Sequence, residues 1–134
     1  MSRQQPCGRA EAVNRLRVAR TYLEMAQLAA AAPGAEAVTV AAGNVVLAAI
    51  AAADAICCSR LGRRHRGQRH DDAAALLEEV EPGGRRLAAD LRRILSEKDA
   101  AHYGLDMLSR ARWSTLERCA TRLVDAAAAF VTRG

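Results

Sequence analysis

AVTVAAGNVVLAAIAAADAICC, residues 37–58, is the stretch whose reading decides the fold. From Ala37 to Ala53 it carries no formal charge, and it is apolar on every side rather than along one stripe. A helix of that kind either crosses a membrane or is enclosed by its neighbours. Alanine inserts weakly, Gly43 and Asn44 interrupt the run, and no Trp or Tyr marks an interface. The sequence therefore predicts a central core helix from about Ala35 to Leu61, not a membrane span.

Working outward, Pro33 and Gly34 separate this helix from one before it, about Arg9 to Ala32. There Ala12, Leu16, Ala19, Leu23, Ala26 and Ala30 recur at steps of three and four. Downstream, Gly62 opens the Arg-rich connection RRHRGQRH. A short helix is predicted from about Asp71 to Val80, its acidic start suited to a helix N-terminus. EPGG at 81–84 is a turn. A fourth helix is predicted from Arg85 to Tyr103, closed by Gly104. The last begins between Ser109 and Ser114, with an apolar stripe of Trp113, Leu116, Ala120, Leu123, Ala127, Phe130 and Val131. Short loops between such elements predict an all-α, antiparallel up-and-down bundle of four main helices plus one short one. Residues 1–134 form a single domain, with 1–8 expected to be a disordered tail.

Composition agrees. The chain has 134 residues, of which 51% are hydrophobic, 26% charged and only 3% aromatic, which excludes a disordered chain and disfavours a strand-rich one. Alanine contributes 31 residues, so helix propensity is high almost throughout. Twenty basic residues against fifteen acidic give a net charge of +5, which permits an anionic partner without requiring one. Nineteen of those twenty are Arg, so arginine clusters weigh less here than in an average chain.

The N-terminal residues MSRQQPCGRA lack an apolar run, so no secretory signal is expected and a cytoplasmic location is. The cysteines are Cys7, Cys57, Cys58 and Cys119. Adjacent cysteines cannot make a CxxC zinc knuckle, and the spacing does not suggest a disulfide framework, so all four are expected to be reduced, buried, small apolar residues.

Candidate chemistry concentrates in the fourth helix. Measured from Ile94 at about 100° per residue, Leu87, Leu91 and Leu95 define its buried stripe. Lys98 falls at about 40° and His102 at about 80°, inside the stripe. A charge there must be paired, reach water along its stem, or face a second subunit. The alternative is that the stripe simply ends, where Lys and His suit the negative end of the helix dipole. A lone Lys in a chain of arginines suggests that a compact ammonium is needed.

Asp54 interrupts the most apolar helix and should be paired, with Lys98 or a first-helix arginine as partner. The loop from Arg60 to His70, including Arg63, Arg64 and Arg66, could grip phosphates, but no aromatic is interleaved for base stacking, so a solvated loop is the first expectation. No GxGxxG or GxxxxGK[ST] occurs, and Asp99 with His102 is only half of a di-iron carboxylate pattern. No metal site and no cofactor is predicted.

The order of features resembles the HEPN superfamily of small bacterial helical bundles, particularly stand-alone members and those encoded beside minimal nucleotidyltransferases. The likeness runs from about Ala10 to Val131, through an Ala-rich helix ending in Leu-Gly, a polar loop reaching His70, DDAAALLEEV, LRRILSEKDAAHYG and ATRLVDAAAAFV. KDAAHYG is the distinctive string, with Lys98, His102 and Tyr103 at positions that often carry Arg or Lys and then an Asp-Tyr-like ending. The resemblance implies a helical bundle, a homodimer, and a possible nucleotidyltransferase-type, RNA or nucleotide partner. Catalytic members are metal-independent ribonucleases with Arg, four to six residues, then His. Counting back from His102, those positions hold Leu95, Ser96 and Glu97. Arg60 to His65 and Arg64 to His70 fit numerically but lie in the wrong segment. The resemblance thus implies a non-catalytic interaction module first, a ribonuclease using His102 and Lys98 second, and a nucleic-acid-binding bundle using the arginine loop third.

Overall fold

The computed structural model describes residues 3–67 and 69–133. Gly8 opens the first helix by donating its amide N–H to Glu11 Oε1 at 2.8 Å. The chain then runs as α1 (Arg9–Ala30), α2 (Ala35–Leu61), α3 (His70–Leu77), α4 (Gly84–Leu95), α5 (Lys98–Tyr103) and α6 (Arg110–Arg133). The all-α bundle expected from the periodicity is what forms.

α2 is its axis. Val38, Val45, Val46, Ile56 and nearly every alanine of α2 are fully buried. Its apolar window is long enough to cross a membrane, yet 78% of that window is covered by neighbouring helices, which accounts for its composition. α1 lies along it through all six alanine and leucine positions of its stripe. α6 presents Trp113, Leu116, Leu123 and Phe130, and α4 adds Leu87, Leu91 and Ile94. Alanine on both faces lets backbones approach closely, and burying each larger side chain contributes about 1.5–3 kcal/mol. Arg122 of α6 ties α4 to this core with two hydrogen bonds to Asp90, at 2.7 and 2.9 Å.

The structure corrects three expectations. First, residues 1–8 are not simply a disordered tail. Residues 1 and 2 lie outside the described residues, but β1 (Gln4–Pro6) pairs antiparallel with β2 (Arg63–His65), Gln4 opposite His65. Second, Cys7 and Cys58 form a disulfide, so only Cys57 and Cys119 are free. The 51-residue separation left no local pattern for the pair to be read from.

Third, the long fourth helix is two helices. Ser96 Oγ bonds back to the Arg93 carbonyl at 2.6 Å, and the Glu97 amide reaches only three residues back, to Ile94 O at 3.0 Å. The Glu97 carboxylate is meanwhile held by Arg112 of α6. A side chain competing for a backbone carbonyl and a tightened turn together end α4 and re-aim α5.

Candidate functional site

Because α4 stops at Leu95, the wheel that placed Lys98 and His102 inside one stripe no longer applies. Neither residue joins the apolar core. His102 is exposed and lies over α2 at Gly43, with its ring 5.9 Å from that of Tyr103, which is itself 78% exposed. Lys98 is half-buried and turns to a different feature, a cleft between the start of α3 and the α4–α5 junction.

That cleft, about 290 Å³, is lined by Arg69, His70, Asp71, Leu95, Lys98 and Asp99. Burial, and then the neighbouring Lys98 ammonium and His65 ring, hold the His70 imidazole below its usual range. His70 is therefore neutral near pH 7 and able to accept a proton. Sequence reasoning found Lys98 but missed Arg69 and His70 as its neighbours, because no periodicity relates a loop residue to a helix thirty positions later. His65 was missed as well. It is buried on β2, and neither ring nitrogen has a hydrogen-bond partner among the described residues.

Asp54 behaves as the sequence predicted in one half and not in the other. Its Oδ2 receives Arg15 Nε from α1 and Arg64 Nη1 from β2, both at 3.1 Å. The first-helix arginine is right and Lys98 is not a partner. Burial pushes the Asp54 carboxyl above its ordinary range, and the two guanidiniums pull it partly back. The arrangement is a structural clamp between α1, α2 and β2.

The arginine loop is also largely engaged. Arg63 bonds Gln4 Oε1 and Glu79 Oε1, each at 2.7 Å. Arg64 bonds Gln5 as well as Asp54. Of the three arginines read as phosphate-gripping, only Arg66 points out without such a bond among the described residues, so the loop is a folded β-ribbon instead of a solvated one. Nor is cysteine chemistry supported. Burial and the nearby Asp54 push the Cys57 thiol up to about 12, where almost no thiolate exists.

A second feature is an apolar seam. Arg15 of α1 sits opposite Asp54 of α2, and the helices run antiparallel, so seven residues along each brings Tyr22 level with Leu47, and seven more brings Ala29 level with Val40. Near Asp54 the seam is covered by the β-ribbon and the ion pairs. Farther along it is open: Val18, Met25, Val40 and Leu47 are all exposed, Val40 to 59%. Met107, also exposed, lies against a neighbouring face of α2, its Sδ 3.6 Å from Thr39 Oγ1.

No protein-family model matches the chain, and no characterised protein shows significant sequence similarity to it.

Proposed function

We propose that the chain is a non-catalytic interaction module of the HEPN-like kind, acting as a homodimer that meets its second copy along the open part of the α1–α2 seam. The observation that carries this reading is the gathering of exposed large apolar residues along that seam, where isolated surface apolar residues would be scattered. A second copy is the occupant that the sequence resemblance implies, and a two-fold pairing sets the same apolar residues of both seams against each other across the axis.

A ribonuclease built on Lys98 and His102 has less support, because His102 lies over Gly43 and does not line the cleft that Lys98 lines, though the two stand one turn apart on α5. The engagement of Arg63 and Arg64 likewise lowers the support for nucleic-acid binding through the loop. A cognate nucleotidyltransferase-type partner and a cytoplasmic setting belong to the proposal, and the Cys7–Cys58 bond is the observation that counts against that setting, since a reducing thiol pool opens such bonds.

Light scattering after gel filtration tests it. The wild type should elute with the mass of two chains, and Met25→Glu with Leu47→Glu should elute as a folded monomer. A wild-type monomer at tens of micromolar, or a dimer indifferent to both glutamates, overturns the proposal. Purified protein should leave RNA intact, and co-expression with the neighbouring gene product should show whether the two co-purify.

A further inference from the structure

β1 is held by little besides one covalent bond. None of its three residues is buried, and its side chains meet β2 through Gln4 with Arg63 and Gln5 with Arg64. The ladder is flanked by the Arg66 N–H donating to the Arg3 carbonyl at 2.9 Å and the Cys7 N–H donating to the Gly62 carbonyl at 3.0 Å. Solvent-accessible hydrogen bonds of this kind trade with water at small net cost. His65, opposite Gln4 in the ladder, is buried with neither ring nitrogen partnered among the described residues, a penalty that water relieves once the strand lifts. The Cys7–Cys58 bond therefore decides whether residues 3–7 stay docked.

The two sulfurs of that bond are unequally placed. Cys58 is 3% exposed and belongs to the core face of α2. Cys7 is partly exposed and lines a pocket of about 200 Å³ beside Asn14, Arg15 and Arg64. A small nucleophile entering the pocket meets Cys7 and not Cys58. We propose that Cys7 is a reversible thiol-exchange site for a low-molecular-weight thiol of the glutathione class, reached through this pocket, and that the exchange releases β1 as a strap. The strand is docked where disulfides accumulate, and it is free, with the edge of β2 bared, in a reducing thiol pool.

The incoming thiolate forms a bond to Cys7 Sγ as the Cys7–Cys58 bond breaks, and the electron pair of that bond leaves on Cys58 Sγ. Cys58 stands one turn beyond Asp54 on α2, so the departing thiolate is born near the clamp on which the Arg15 and Arg64 guanidiniums converge. It then takes a proton from water. A second thiolate attacks the sulfur of the bound thiol, giving a small-molecule disulfide and a Cys7 thiolate that is protonated in turn. The protein's bond gains two electrons and the two small thiols lose them, and glutathione disulfide re-forms the bond by the same steps reversed. Cys57 does not compete, although it adjoins Cys58. Burial and the nearby Asp54 push its thiol up to about 12, which leaves almost no thiolate to attack.

Peptide mass spectrometry and hydrogen–deuterium exchange on the intact, oxidised chain test this, with glutathione as the probe. Excess reduced glutathione should open the bond without denaturant, and any mixed disulfide trapped by acid should sit on Cys7, with Cys58 a free thiol. Amides of residues 3–7 and 63–66 should exchange at least about tenfold faster in the reduced chain, while those at the centre of α2 stay protected. Cys7→Ser should exchange like the reduced wild type and take no glutathione from glutathione disulfide. Cys58→Ser, which leaves Cys7 single, should take one. Glutathione trapped on Cys58, a bond that opens only in urea, or equal exchange of residues 3–7 in the two redox states overturns the proposal. So does a Cys58→Ser chain with a native circular dichroism spectrum that takes up no glutathione.

Discussion

The imidazole of His102 occupies the space that a side chain on Gly43 would need: a Cβ at Gly43 would stand 3.3 Å from His102 Cε1 and meet nothing closer. His102 is exposed and can swing aside, whereas glycine in a helix interior is about 1 kcal/mol less favourable than alanine. Gly43→Ala is therefore expected to stabilise the fold by up to about 1 kcal/mol, raising Tm by roughly 4 °C. A thermal melt checks the sign, and the His102 ring resonances should move. A fall in Tm would mean that His102 is pinned.

Gly84 gives the opposite outcome. A Cβ there would lie 2.5 Å from the Leu77 carbonyl oxygen and 3.1 Å from that of Glu78, both backbone atoms at the end of α3. Neither can retreat without dismantling the α3–α4 turn, so Gly84→Ala should cost about 2–3 kcal/mol. Urea denaturation reads this directly, and a loss under about 0.5 kcal/mol would contradict the close approach.

The Cys7–Cys58 bond closes a loop of 51 residues and holds β1 on the outer face of α2. Cross-links of that span are worth about 2–4 kcal/mol. Cys7→Ser should lower the urea midpoint accordingly, and reductant should bring the wild type down to the variant. A wild-type midpoint unmoved by reductant would show that the strand is held without the bond.

Asp54 predicts a pH effect whose sign is fixed by its raised pKa. The folded state binds the proton more tightly than the unfolded chain, whose value is 3.8, so stability is greatest below that point and declines as pH rises through the folded value. Asp54→Asn cannot ionise and should gain on the wild type as pH increases from about 4 toward 7. Parallel stability curves across that window would show that the two guanidiniums fully offset burial.

Much of the bundle was legible because its signals are local. Every residue of the α1 stripe read from the spacing is buried, and Pro33-Gly34 and Gly62 bound α2 where the composition changes. What escaped depends on distant partners. Angular arithmetic carried Lys98 and His102 into the stripe because it assumed one helix, and the break at Ser96 and Glu97 depends partly on Arg112, fifteen residues on. The meeting of His70 with Lys98, and of Cys7 with Cys58, is a product of the tertiary fold, so no window of sequence contains either pair.

α5 spans six residues and buries none of them. Segments with so little packed apolar surface detach at small free-energy cost while the rest of the molecule stays native. Amide protons from Lys98 to Tyr103 should thus trade with deuterium in a subglobal event, long before those of α2, which exchange only when the whole chain unravels.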